Sequence, residues 1–331
     1  MSLPDLVTFD MIRAACTRLD GHVRRTPLLS SPFLDDLAGR RVLIKPECLQ
    51  HTGSFKFRGA WSAISALLPE VRARGVIAFS SGNHAQGVAH AAALHGVSAV
   101  IIMPSDAPAL KIANTRAFGA EVVLYDRVTE SRDEIGDRLA TERGLTLIKP
   151  FDEPQVIAGQ GSCGVELAQQ LADLDVSEAQ VLVPCGGGGL TAGIALALEA
   201  LAPGVQAHPV EPEGFDDVTR SLASGQVQRN PQQSGSLCDA ILTPAPGAIT
   251  WPILQRLCGT GLVVSDQQAL RAMAQAFLRL KLAVEPGGAV ALAAALWQAD
   301  QIQGDTVVVV TSGGNVDPDM FVQALQQIDQ A

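Results

Sequence analysis

The chain has 331 residues, 47% of them hydrophobic and 18% charged, enough to bury a large core and to form two domains of an α/β enzyme. A formal net charge of −10, with no basic run, excludes nucleic acid or an anionic membrane as the main partner. Aromatics supply only 4% of the residues, so Ala, Val, Leu and Ile must fill the interior, as in parallel sheets covered by helices.

From about Arg74 onward, short apolar runs alternate with helical stretches. Val76 to Ser80 reads as a buried strand and Gly82 to His95 as a turn and helix. Ala99 to Met103 is the next strand, followed by a helix from near Ala109 that ends before Gly119. Glu121 to Tyr125 is the third, and its helix runs to about Arg143. Thr146 to Lys149 opens a second set, with a helix near Gly161 to Leu171. Gln180 to Val183 leads into four glycines and a helix through about Leu201. Val205 to Val210 and Thr306 to Thr311 are further strands. Short runs bounded by Gly, Pro, Ser or Asp suit a parallel sheet. Their alternation with helices implies right-handed βαβ crossovers and open, mostly parallel twisted sheets. The stretch from Glu211 to Thr250 has weak periodicity and is expected to be loop-rich.

No apolar stretch reaches the ~20 residues that span a bilayer, and Met1 to Asp10 is too polar for a secretory signal. The six cysteines (Cys16, Cys48, Cys163, Cys185, Cys238 and Cys258) are scattered, with no C-x-x-C pair. That argues against a zinc ribbon or a disulfide framework and for a reducing cytoplasm.

Four segments carry chemistry. Gly186, Gly187, Gly188 and Gly189, with Leu190, lie between a strand and a helix, where free N–H groups and the helix dipole favour a phosphate. Gly187-x-Gly189-x-x-Ala192 also satisfies a dinucleotide fingerprint, with Glu211 placed to meet a ribose, so a nicotinamide oxidoreductase is the rival reading. In Ser54-Phe55-Lys56-Phe57-Arg58-Gly59-Ala60, a lysine stands between two phenylalanines. An apolar wall would lower its pKa and fit it for imine chemistry; the alternative is a helix-face lysine that snorkels past aromatics. Ser80-Ser81-Gly82-Asn83-His84 gathers hydroxyls, an amide and backbone donors at a helix start, either to receive a carboxylate or simply to cap the helix. Thr311-Ser312-Gly313-Gly314-Asn315 leaves the last strand. Ligands of open α/β sheets collect at the carboxyl ends of strands, so these strand ends point to one crevice.

Taken in order, these residues resemble the fold-type II pyridoxal-phosphate (PLP) enzymes, with their tryptophan synthase β-like fold, and among them the threonine/serine dehydratases and serine racemases. The resemblance also takes in Lys111 with Arg116 to Glu121, Ile157 to Gly161 and Glu285-Pro286, and so covers nearly the whole chain. It implies a discontinuous large domain (1–73 and 152–331) and a small mobile domain (74–151). Lys56 would hold PLP as a Schiff base and then move the α-proton. Phe55 would lie against the cofactor ring, Asn83 would meet its 3′-oxygen, the glycines and Leu190 its phosphate, and Ser312 its pyridine nitrogen, with Glu285 beside it. Ser81 would be a second acid/base, and Ser80, Ser81, Gly82, Asn83 and His84 would grip the substrate carboxylate.

The activity implied is β-elimination of L-threonine or L-serine to a 2-oxo acid and ammonia, by a homodimer. Serine racemase and threo-3-hydroxyaspartate dehydratase are the alternatives on the same scaffold. The latter is favoured if Arg132 enters the site to pair a second carboxylate, rather than staying on an exposed helix beside Glu130 and Asp133. Glu211, the carbonyl of Phe215 and Asp217 resemble a divalent-cation loop suited to Mg²⁺ or Ca²⁺, unless they form a solvated acidic turn. Because one helix follows the Ser312 strand, feedback through a C-terminal regulatory domain is not expected.

Overall fold

The structure, a computed structural model, describes residues 6–107, 109–126 and 128–328. Half of the N-terminal stretch considered for a signal, and the last three residues of the expected large domain, therefore lie outside the described residues. The strands are β1 (Arg41–Pro46), β2 (Val76–Phe79), β3 (Ala99–Pro104), β4 (Glu121–Tyr125), β5 (Thr146–Leu147), β6 (Ala179–Pro184), β7 (Val205–Pro212), β8 (Leu262–Val264) and β9 (Thr306–Thr311). They form two sheets, one of five strands in the order β1-β9-β6-β7-β8 and one of four in the order β4-β3-β2-β5. Every strand pair is parallel. Val307, Val308, Val309 and Val310 of β9 are all fully buried, as expected where helices cover both faces of a parallel sheet.

Two strands were not anticipated, and the bounds of two other elements differ from those expected. β1 was not anticipated, because Lys45 interrupts its apolar run; the lysine is itself buried and paired. β8 has three residues, too few for a periodic signal. The strand expected from Thr146 to Lys149 stops at Leu147. The stretch between Glu211 and Thr250 is loop-rich as expected, broken by the helix Asp217–Ser224 and a 3₁₀ turn, Asp239–Ile241.

The helix expected near Gly161 starts instead at Pro154 and runs to Ala172. Glycines at 159, 161 and 164 weaken helix propensity and hid its first half. They are required by close packing. A Cβ at Gly159 would lie 2.6 Å from the Arg58 carbonyl, and one at Gly193 would lie 2.6 Å from the Gly161 nitrogen. Pro154–Ala172 is thereby pressed against both Lys56–Ala66 and Gly189–Leu201, the helices that carry the candidate lysine and follow the glycine loop. Among the described residues no helix is long and apolar enough to cross a membrane.

A buried ion network fixes the lysine's helix. The Arg58 guanidinium, fully buried, donates to both Glu47 oxygens at 2.7 and 2.9 Å and to both Glu166 oxygens at 2.7 and 3.0 Å. Lys45 Nζ donates to Glu166 at 2.6 Å and to the Thr26 carbonyl at 2.8 Å. Burial would raise the Glu47 carboxyl, but Arg58 outweighs it and holds the group below the usual carboxylate range. These bonds tie Lys56–Ala66 to the end of β1 and to Pro154–Ala172.

Candidate active site

A cavity of about 230 Å³ opens between the two sheets. Its wall includes Phe55, Lys56, the loop Ser80 to His84, the glycines 186–189, Leu190, Glu285 and Ser312. The structure thus brings together the four segments singled out in the sequence. The carboxyl end of β2 supplies the serine loop, β6 the glycines and β9 Ser312, while Lys56 enters from the first turn of its own helix.

Lys56 is both helical and enclosed, so the two sequence readings merge. Its Nζ donates to the Pro150 carbonyl at 2.8 Å and stands 5.0 Å from the Phe55 ring centroid. Burial pushes its pKa down to about 8, with the Glu285 charge opposing. His84 Nε2 lies 2.8 Å from the Ile148 carbonyl. Burial first, then the Lys56 charge, press its pKa down to about 3, so the ring is neutral and unsuited to act as a cation.

Asn83 Nδ2 donates to Glu285 Oε1 at 2.6 Å, and Asn315 Nδ2 donates to Asn83 Oδ1 at 2.7 Å. Glu285 is pushed up to about 7, by burial and then by Asp239. At the glycine loop, Gly188 has φ 90° and ψ 0° and precedes the helix Gly189–Leu201. A Cβ at Gly187 would run into the Phe151 ring, and one at Gly189 would lie 3.0 Å from the Phe151 backbone. Only bare backbone fits between Phe151 and the cavity.

Two wall features were not anticipated. Lys111, on the helix Ala109–Ala117, reaches across to Asp239 of the 3₁₀ turn Asp239–Ile241, with Nζ donating to Oδ2 at 3.1 Å. Burial would lower the Lys111 pKa, but Asp239 raises it. Lys111 belonged to a segment of the family resemblance, but a lone lysine on an ordinary helix gave no sign of facing a cavity. Thr243, also in the wall, has a buried hydroxyl without a partner among the described residues.

Two sets of expected site residues are not in the wall. Arg132 is half-exposed and donates from Nε to Asp133 at 3.3 Å; its guanidinium sits 5.7 Å from the centroid of Phe79, which does line the cavity. Glu211 lies in β7, fully buried, and accepts from Val218 N at 3.0 Å, Thr219 N at 2.7 Å and Thr219 Oγ1 at 2.6 Å. It braces the helix Asp217–Ser224 and is not in the cavity wall. Asp217, buried beside it, accepts from Asn230 Nδ2 at 2.5 Å, while its Oδ2 has no partner among the described residues. Phe215 is buried on the same turn.

The family described as "pyridoxal-phosphate dependent enzyme" matches residues 19–313. An L-threo-3-hydroxyaspartate ammonia-lyase of Pseudomonas sp is 44% identical over 317 residues, spanning 96% of this chain and 98% of that protein. A solved T.th. threonine deaminase is 45% identical with a TM-score of 0.88, over 94% of this chain and 99% of the other. Maize serine racemase is 36% identical with a TM-score of 0.90, over 98% of each chain. These findings overturn the nicotinamide reading of the glycine loop, in agreement with Glu211 being occupied by Val218 and Thr219.

Proposed function

Because the chain belongs to the family of pyridoxal-phosphate-dependent enzymes, we propose that it is an ammonia-lyase of 3-hydroxy-amino acids, with L-threo-3-hydroxyaspartate as the preferred substrate. The cofactor fits the residues present. The cavity offers a buried amine of lowered pKa, a backbone cradle where a Cβ at Gly187 or Gly189 would strike Phe151, and an unpartnered Thr243 hydroxyl. When bound, PLP supplies the electron sink that acidifies the substrate α-carbon.

The protein's own groups do the rest. Lys56 holds the cofactor covalently and then takes the α-proton, a task suited to an amine titrating near neutrality. Gly186, Gly187, Gly188, Gly189 and Leu190 meet the phosphate with backbone N–H groups at a helix start. Phe55 would lie against the ring, Asn83 would serve the 3′-oxygen, and Ser312 would offer the pyridine nitrogen a hydroxyl rather than an acid. Ser80, Ser81, Gly82, Asn83 and His84 hold the substrate carboxylate, and neutral His84 adds no charge there. Loss of the β-hydroxyl as water, then hydrolysis, gives a 2-oxo acid and ammonia. Residues 74–151 act as a small mobile domain that closes the cavity and excludes water.

The substrate reading rests on Lys111. Among the described wall residues it is the cation left over once Lys56 is committed to the cofactor, and its present partner Asp239 has a 63% exposed side chain. A second carboxylate on the substrate can replace that exposed partner. Lys111→Met should cut kcat/KM for L-threo-3-hydroxyaspartate by roughly 10–100-fold, the worth of a hydrogen bond to a charged group, and change L-serine by less than about threefold. If Arg132→Met produces this pattern and Lys111→Met does not, the second carboxylate belongs to Arg132. Equal loss on both substrates, or no preference for the dicarboxylate, defeats the reading.

A second reading, L-threonine/L-serine dehydration, is supported by Asp239 already neutralising Lys111, which leaves the cavity suited to a neutral substrate. Racemisation is supported by Ser81 sharing the wall with Lys56, two acid/base groups being what inversion at the α-carbon needs. We also propose a divalent ion, Mg²⁺ or Ca²⁺, at the unpartnered Asp217 Oδ2 beside Glu211 and the Phe215 turn. Because among the described residues no three acidic, His or Cys side chains gather to hold a metal, backbone oxygens would complete the site, and the ion would serve as a structural charge rather than in the chemistry. A homodimer and a cytoplasmic setting complete the proposal. They are supported by exposed Phe33, Phe277 and Val322 and by six free cysteines.

A further inference from the structure

The peptide joining Gly187 to Gly188 is gripped from the side away from the cavity. Thr250, fully buried, donates its hydroxyl to the Gly187 carbonyl at 2.6 Å, and Gly247 N–H donates to the same oxygen at 3.2 Å. A hydroxyl has one proton. Its other approach, to the Gly247 carbonyl, is longer at 3.3 Å, so Gly187 receives it.

In a planar trans peptide the carbonyl and the next N–H point in opposite directions. Drawing the Gly187 oxygen toward Thr250 therefore turns the Gly188 N–H the other way, toward the cavity that Gly187 and Gly188 line. The left-handed Gly188 backbone fits this turn, and a Cβ there would lie 2.7 Å from Leu254 and 3.1 Å from Thr250 Oγ1. The loop cannot relax toward Thr250, because that space is filled.

Thr250 is held in turn by Asp152. Its carboxylate accepts from Ala248 N at 3.1 Å, Ile249 N at 2.8 Å and Thr250 N at 3.3 Å, three amides at the start of the helix Thr250–Leu257. Phe151, next in the chain, packs on Gly187 and Gly189. One dipeptide thus fixes both the glycine loop and the hydroxyl behind it.

We propose that Thr250, fixed by Asp152, is a positioning residue for the cofactor's phosphate: its hydroxyl sets the Gly187–Gly188 peptide so that the Gly188 amide faces the anion before it arrives. The inference depends on PLP being the cofactor and is independent of the substrate. Preorganisation of this kind costs nothing at the moment of binding, because the amide is already turned. Asp152 and Thr250 are not in the cavity wall and act only through the loop.

The test compares PLP with pyridoxal, which lacks the phosphate. The full-length protein is stripped of cofactor and reloaded with either, dissociation constants are measured by equilibrium dialysis, and the reloaded protein is followed by phosphorus NMR. Thr250→Val keeps the shape and loses the donor. It should weaken PLP by roughly tenfold, leave pyridoxal within about twofold, and move the phosphorus resonance. Thr250→Ser should restore wild-type behaviour on all three. If the valine variant does not fold, Asp152→Asn is measured in the same way and should show a smaller loss confined to PLP. Equal weakening of PLP and pyridoxal, or unchanged PLP affinity with an unmoved resonance, would overturn the proposal.

Discussion

Lys56 sits where two physical demands meet. It must be neutral often enough to act as a nucleophile, yet a buried amine needs somewhere to place its N–H groups. The Pro150 carbonyl answers the second demand without adding a charge, and burial answers the first by bringing the pKa to about 8. The rate at which cofactor-free protein captures PLP should therefore rise with pH through a midpoint near 8, not 10.5, as followed by stopped-flow absorbance. Lys56→Ala should abolish covalent capture; a midpoint near the ordinary lysine value in the wild type would show that burial does not govern this amine. Arg58 makes a contrasting residue-level case. Replacing it with Met leaves Glu47 buried without its cation, at a cost of about 3–5 kcal/mol, read as a lower urea midpoint at neutral pH. In the wild type the depressed Glu47 carboxyl contributes stability that is lost as pH falls through its folded pKa. In the variant burial raises that pKa, so protonation on acidification relieves the uncompensated charge. The deficit should shrink on acidification toward the ordinary carboxylate range, and a deficit that grows instead would contradict the assignment.

At the scale of elements, the sequence disclosed what has a period or a punctuation mark. The runs Ala99–Pro104, Glu121–Tyr125 and Thr306–Thr311 are continuous and apolar, and the glycine loop is bounded by a clear strand and helix. The first half of Pro154–Ala172 was hidden because its glycines serve helix–helix contact, which local propensity cannot register. β1 was hidden by a lysine whose partners, Glu166 and the Thr26 carbonyl, are remote in sequence. The wall position of Lys111 and the contact of Thr250 escaped notice for the same reason. Each acts through a contact far along the chain, with Asp239 and with Gly187, and a single sequence carries no trace of such pairs. Arg132 shows the converse, since a segment resembling a family motif does not by itself bring the side chain into the cavity wall. The acidic turn at Glu211 belongs to this scale too. With Asp217 Oδ2 unpartnered among the described residues, added Mg²⁺ or Ca²⁺ should raise the melting temperature of the holoenzyme, EDTA should lower it, and Asp217→Asn should remove the difference. Identical melting curves with and without the ions would dismiss the site.

For the whole molecule, the two parallel sheets place three polar strand ends and one helix start around a single cavity. Lys111 and Asp239 form a salt bridge that joins the two sides of its mouth. Association of a substrate carboxylate with Lys111 would thus compete with the contact between the helix Ala109–Ala117 and the turn Asp239–Ile241. The scaffold alone leaves elimination from a dicarboxylate, dehydration of neutral substrates and racemisation within reach, because all three begin with removal of the same α-proton.

The most direct measurement is turnover by the purified holoenzyme of L-threo-3-hydroxyaspartate, L-serine and L-threonine, following ammonia, 2-oxo acid and the optical purity of the remaining substrate. The account predicts oxo acid and ammonia in equal amounts, with the highest kcat/KM for the dicarboxylate and no loss of optical purity. Faster elimination from L-threonine or L-serine, or racemisation without ammonia, would contradict it.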